Sequence, residues 1–267
     1  MERTLILADL HVGSLVSIWP EHGLLPEGGE WQLNKPQRYL LRQWGRLREE
    51  LDTYKTFDNI VINGDLLDGA KPRAIGIVTQ RVDYQASAAI DLLAPLREMC
   101  QNFYIIRGTA FHGGDADQDT TQVARSLDAT KNPATGEWTW PDLHLDVGGD
   151  NIWHIAHHSG VSKRMAYEGT ALLSAFTEYK LNLARAYGKR AVNLTGICRS
   201  HAHRLLCIEK PPWTMMAVTG WKLKDDYAYK AAPSSLPEIG YGLVEYDRDV
   251  KASVHWFPLP PMHVEGK

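Results

Sequence analysis

An α/β protein with two packed sheets flanked by helices is the fold class this sequence predicts. Two patterns and one absence lead to it. In the first half, short aliphatic runs alternate with helical stretches, as in chains whose parallel strands are joined by crossover helices. Beyond Pro141 short strands dominate. No linker, internal repeat or low-complexity tract separates the two halves, so residues 1–267 are expected to form one domain.

The elements follow in order. Thr4–Ala8 is mostly aliphatic and reads as a buried strand. Over Lys35–Thr53, Leu40, Trp44, Leu47 and Leu51 fall on one helical face, with Asn34 placed to cap the helix and Pro36 suited to its first turn. Asn59–Asn63 and Phe103–Arg107 repeat the opening strand pattern. Between them Ala86, Ile90 and Leu93 mark a second helix, which Pro95 should kink or end. Leu143–Val147 and Ile152–His157 flank Gly-Gly-Asp-Asn and predict a hairpin. Leu172, Phe176, Tyr179 and Leu183 share a helical face. Strands are then expected near Val192–Ile197, Leu205–Glu209, Met215–Thr219, Tyr241–Tyr246 and Ser253–Phe257. Two long segments, Val12–Lys35 and Gly108–Asp142, look irregular apart from a helix near Gln118–Leu127. Long loops in compact domains are often functional. Trp19, Trp31, Trp138 and Trp140 lie in these segments, either as buried loop anchors or as walls that contact substrate.

Composition narrows the function classes. The chain is 44% hydrophobic, enough for a substantial core, and its formal charge of −3 argues against a broadly basic surface for duplex nucleic acid. Cys100, Cys198 and Cys207 form no metal-binding pair and leave an odd thiol, as expected of reduced cysteines in the cytoplasm. No run approaches the roughly 18 apolar residues of a membrane span, so no membrane partner is expected.

The chemistry sits where the aliphatic runs end. Asp9-Leu-His11 follows the first run and Gly64-Asp65-Leu-Leu-Asp68-Gly69 the second. Gly108-Thr109-Ala-Phe-His112 follows the third; His157-His158 and His201-Ala-His203 close two later ones. In an extended chain, residues i and i+2 share a face, so Asp9 and His11 should project together from the strand's edge. Mixed carboxylate and imidazole donors suit manganese, iron, zinc or cobalt. Two divalent ions would carry four positive charges against the two of Asp9 and Asp65. The remaining positive field suits a phosphate ester and the generation of hydroxide from water.

In type and order, these motifs resemble the calcineurin-like metallophosphoesterases, with the match running from Asp9 to His203. The Gly-Thr-x-x-His form of the third motif is similar to phage- and prophage-associated members. The resemblance implies a double β-sandwich flanked by helices, with two divalent ions at the sheet edges: manganese first, with iron, zinc, nickel or cobalt as alternatives. It implies that Asp9, His11 and His203 bind one ion, that His157 and His201 bind the other, and that Asp65 bridges. Of the adjacent pair, His157 is the expected ligand and His158 a neighbour that supports the site or contacts substrate. Asp68 would orient His11 or a nearby group, since metal-bound imidazoles usually donate their other N–H to a carboxylate or carbonyl. The family usually has Gly-Asn-His at the third motif, with Asn as ligand and His as general acid. Here Thr109 stands at the Asn position, and His112, displaced by two residues, is either the acid or a ligand. Arg107 and Arg199 adjoin motifs and could hold a phosphate oxygen or a partner on the sheet. His22, His144, His154, His255 and His263 have no comparable setting and are expected to be structural or superficial.

The implied function is phosphoester hydrolysis: in-line attack on phosphorus by hydroxide generated at the metal pair, with His112 or water protonating the leaving oxygen. The expected substrate is a phosphodiester of a nucleotide or of short or single-stranded nucleic acid. The alternatives are a phosphomonoesterase or protein phosphatase of the same fold, and a metal-binding scaffold without catalysis. A metallo-β-lactamase-type site is set aside because Arg204-Leu205 follows His201-Ala-His203 where Asp-His would be needed. Asp68 stands where purple acid phosphatases carry tyrosine, so no tyrosinate-to-iron colour is expected.

Overall fold

A computed structural model describes residues 1–70, 75–109, 118–158, 167–231 and 235–260. The strands are β1 (Glu2–Leu7), β2 (Phe57–Asn63), β3 (Cys100–Ile106), β4 (Leu143–Asp146), β5 (Ile152–Ile155), β6 (Leu194–Arg199), β7 (Leu206–Lys210), β8 (Trp213–Ala217), β9 (Gly240–Asp247) and β10 (Asp249–Trp256). The helices are α1 (Lys35–Asp52), α2 (Val82–Arg97), α3 (Gln118–Ser126), α4 (Glu168–Tyr187) and α5 (Asp226–Ala231). They form a mixed α/β architecture of two five-stranded sheets flanked by helices, with strand orders β10-β9-β1-β2-β3 and β4-β5-β6-β8-β7. β1, β2 and β3 run parallel, as the crossover pattern predicts. In the second sheet β5, β6 and β8 are parallel, while antiparallel β4 and β7 form its edges.

Alternation along the strands builds the layers. In β1, Leu5 and Leu7 join α1 and α2 in one core cluster. Ile6, with Ala8 just beyond the strand, faces the opposite way, into a second cluster with Trp153, Ile155, Cys198 and Met216 of the other sheet. The outer face of that sheet buries Leu172 and Phe176 of α4 against Leu194, Ile197 and Met215. Each such fully buried apolar side chain contributes about 1.5–3 kcal/mol relative to exposure.

Local signals match the elements well. Asn34 caps α1 by accepting from the Gln37 amide, in a reciprocal capping box with Pro36 in the first turn. The expected hairpin turns through Gly148, Gly149 and Asp150, all at positive φ. Pro95 does not end α2, which continues to Arg97. It sits in the last turn, where its missing N–H deprives only the Asp91 carbonyl, and Asp91 is exposed. β10 begins earlier than Ser253 because a tight turn at Arg248, φ 73°, pairs Asp249 directly with Asp247.

Candidate metal centre

β1 and β2 lie side by side, with Leu7 opposite Ile62, so the turns after them start at neighbouring points of one sheet edge. Backbone hydrogen bonds tie these turns together: Asp9 N donates to Gly64 O at 3.0 Å and His11 N to Asp65 O at 2.9 Å. From the second sheet, the turn after β6 meets them as His201 N donates to Asp9 Oδ2 at 3.1 Å. Asn63 Nδ2 donates to Ala156 O at 3.2 Å, joining the end of β2 to the segment that carries His157. The C-terminal edges of both sheets thereby converge.

Asp9, His11, Asp65, His201 and His203 all adopt left-handed backbone conformations, with φ between 43° and 66°. Such φ values are uncommon for residues other than glycine, least so for Asp, Asn and His, and they cluster at functional sites. Asp9 and His11 do come together, but through two left-handed residues rather than the extended geometry that the i, i+2 reasoning assumed.

The side chains form two groupings that could each hold an ion, Asp9–Asp65–His157–His201 and Asp9–His11–His203, with the potential ligand atoms of each within 4.8 Å of one another. Asp9 belongs to both. Its Oδ2 is taken by His201 N, while Oδ1 lies 3.3 Å from His203 Nε2, 3.8 Å from His11 Nε2 and 4.0 Å from His157 Nε2. Asp65 divides its oxygens differently. Oδ1 accepts from Thr109 N at 2.6 Å and Thr109 Oγ1 at 3.0 Å. Oδ2 faces His157 Nε2 at 3.1 Å and His201 Nδ1 at 3.7 Å.

Supporting contacts set the imidazole orientations. His157 Nδ1 donates to Asn63 O at 2.8 Å, which leaves Nε2 pointing inward. His11 Nδ1 lies 3.3 Å from Asp68 Oδ1, which turns Nε2 towards His203 Nε2 at 3.3 Å. Burial is the largest influence on the His157 ring and opposes its charge. The carboxylates of Asp65 and Asp9 and the Asn63 carbonyl outweigh it, raising the pKa to about 9. For Asp65 too, burial acts most strongly and favours the neutral acid, but the surrounding imidazoles hold the carboxyl well below its usual range. Asp9 is shifted the same way: burial opposes its charge, and His203 and His157 prevail.

The donor set fits divalent ions on two grounds. It is wholly carboxylate and imidazole, as mixed O/N sites require. Among the described residues, Asp9 Oδ1 and His157 Nε2 are buried without a hydrogen-bond partner, both aimed into the cluster. Buried polar atoms seldom go unpaired, and those that do suggest an ion or water.

No family model and no curated protein matches this chain. Solved structures of similar architecture include a Vps29 single mutant from Entamoeba histolytica, at 13% identity and a TM-score of 0.44, covering 96% of this chain and 99% of that one. Vps29 from Cryptosporidium parvum gives 12% and 0.43, covering 96% and 97%. A protein described as a novel archaeal phosphodiesterase gives 9% and 0.39, covering 95% and 99%.

Most of the expected ligands converge. Asp9, His11, Asp65, His157, His201 and His203 all enter the two groupings. Thr109 touches the site through Asp65, with its hydroxyl spent on that carboxylate. His158 is exposed, beside the rings of His157 and His201 at 5.4 and 5.8 Å. Burial, then the neighbouring histidines, push its pKa down. His112 lies outside the described residues.

Both arginines make contacts within the protein. Arg199 is buried, and its guanidinium donates to the carbonyls of His154 and Cys198 at 2.9 Å each. β6 alternation turns it to the outer face, where His154 also stacks on Tyr179. Arg107 bonds Thr139 Oγ1 at 3.1 Å and pairs with Glu137. The tryptophans act as loop anchors: Trp19 is fully buried, and Trp31, Trp138 and Trp140 pack against the cores. His22 pairs with Glu30, His144 bonds Tyr179, and His255 stacks on Tyr241, all structural or superficial roles; His263 lies outside the described residues.

Sequence reasoning missed Asn63 and Lys222, and took Ser200 for a minor change in the last motif. Asn63 and Ser200 directly precede motif residues, and their adjacency was a usable signal; Ser200 Oγ donates to the same Asn63 carbonyl at 2.8 Å. Lys222 follows no motif, yet its Nζ lies 3.4 Å from Asp68 Oδ1.

Proposed function

We propose that this protein is a metal-dependent phosphoesterase with a dinuclear centre, acting on phosphodiesters of nucleotides or short single-stranded nucleic acid. The observation that supports it most is the pair of ligand groupings that share Asp9. Asp9, His11 and His203 would hold one ion, and Asp65, His157 and His201, with Asp9 between, the other. Bound divalent ions, manganese first, would polarise phosphoryl oxygens and lower the pKa of coordinated water.

The chain's own residues do the rest. Asn63 and Asp68 fix the rings of His157 and His11 so that each presents Nε2 inward. Thr109 fixes Asp65 by two hydrogen bonds to one oxygen, leaving the other for an ion. On the solvent side, exposed His158 and the partly exposed His201 and His203 rings border the cluster, where a phosphate ester would approach. His112 or water would protonate the leaving oxygen. Preference for small or single-stranded substrates rests on the acidic net charge and on the phage-type resemblance. Base stacking by the tryptophans of the two long segments has no support, because those rings pack inward.

The test is to offer manganese-loaded protein bis-nitrophenyl phosphate, mono-nitrophenyl phosphate, a single-stranded oligonucleotide and a phosphoserine peptide. Faster turnover of the two diesters is expected. Faster turnover of the monoester and phosphopeptide would make the protein a phosphatase. Stoichiometric metal binding without turnover of any of the four would make it a scaffold.

A further inference from the structure

The segment after β8 is stitched into the turn that carries the first ligands. Trp221 N donates to Asp9 O at 3.0 Å, Ile18 N to Trp221 O at 3.2 Å and Leu223 N to Val16 O at 2.8 Å. Lys222 bridges to Ser17 and is only 7% exposed. Its Nζ lies 3.4 Å from Asp68 Oδ1 and 2.9 Å from Asp225 Oδ2. Asp68 Oδ1 is the same atom that His11 Nδ1 approaches at 3.3 Å, and Asp68 is fully buried.

A buried carboxylate without a compensating cation is costly, and removing one partner of such a pair leaves the other charge stranded. Lys222 supplies the compensation whether or not an ion is present. We propose that Lys222 is a positioning residue of the metal centre: it anchors Asp68 so that the carboxylate accepts from His11 Nδ1 and His11 presents Nε2 to the first ion. Direct contact with substrate phosphate does not fit, because the ammonium is buried and already committed to two carboxylates. The inference rests on the metal-centre reading above and adds a residue that none of the motifs contains.

The test is calorimetric titration of the metal-free protein with manganese, so that binding is read separately from turnover. Lys222→Met is expected to weaken the ion held by Asp9, His11 and His203 by about 10- to 100-fold, the usual effect of losing an outer partner. The ion at Asp65, His157 and His201 should bind as before, and Lys222→Arg should recover most of the loss. In an Asp68→Asn background, Lys222→Met should add no further loss, since coupled residues are not additive. That double variant leaves no charged Asp68 without its lysine, so it serves even if Lys222→Met alone does not fold. Weaker binding by the double variant than by Asp68→Asn, or a raised KM for bis-nitrophenyl phosphate with unchanged metal affinity, overturns the proposal. Wild-type protein that binds no manganese removes the metal-centre reading and this role with it. Wild-type and Lys222→Met proteins that bind both ions equally tightly remove only the role of Lys222.

Discussion

His157 Nδ1 lies 2.8 Å from the carbonyl oxygen of Asn63, a contact between residues 94 positions apart in the chain. It holds the ring so that Nε2 meets Asp65 Oδ2 at 3.1 Å. A proton or a metal ion is what such a pair of inward-facing acceptors can share.

Proton release on metal binding follows. Without metal, the folded-state pKa of His157 is about 9, above the ordinary value of 6.5. Its stabilising contribution is therefore fully present below about pH 6.5 and lost as pH rises through about 9. The metal-free protein should melt at progressively lower temperature across that window. Manganese binding near pH 7.5 should release about one proton from this ring, seen as a binding enthalpy that varies with buffer ionisation enthalpy. A binding enthalpy identical in all buffers would contradict it.

Asp9 is common to both ligand groupings, whereas Asp65 enters one. Asp9→Asn should therefore impair both ions. Asp65→Asn should remove the ion at His157 and His201 while the ion at His11 and His203 survives. Elemental analysis after saturation and desalting distinguishes the two variants. Loss of both ions from Asp65→Asn would instead favour the bridging role that the family resemblance implies.

Gly108 leaves no room for a side chain: a Cβ there would sit 2.2 Å from Asp65 Oδ1 and 2.3 Å from Asp65 N. Gly108→Ala should push Asp65 out of place, costing about 1–3 kcal/mol of stability as overpacking does. Turnover should fall with the metal content of the site that Asp65 serves. A variant with wild-type metal content and melting temperature would show that the turn yields without cost.

Arg199 tests the phosphate-binding alternative. Its hydrogen bonds to His154 and Cys198 are buried, so Arg199→Gln should destabilise the protein by about 1.5–3 kcal/mol, the scale of charged hydrogen bonds. KM for a phosphodiester should be unchanged in the fraction that remains folded. A several-fold rise in KM would return Arg199 to the substrate.

The sequence by itself determined the layers and the inventory of the site. Leu40, Trp44, Leu47 and Leu51 all bury as their spacing predicts, and so do Leu172 and Phe176. These patterns are legible because helical and strand periods are local, and each buried face must find an apolar partner. Ligand-type residues at strand ends were legible for the same reason, since a strand's end is visible where its aliphatic run stops. Only the tertiary structure decided which atoms meet. Asp68 and Lys222 lie 154 positions apart and join because the segment after β8 pairs with the turn after β1. The directions of Arg107 and Arg199 were equally beyond local pattern. Being next to a motif says nothing of the sheet face on which a side chain emerges, and strand register sets that face. The left-handed backbone at Asp9, His11, Asp65, His201 and His203 was also unforeseeable, because local preference disfavours it and only long-range hydrogen bonding between the two sheet edges holds it in place.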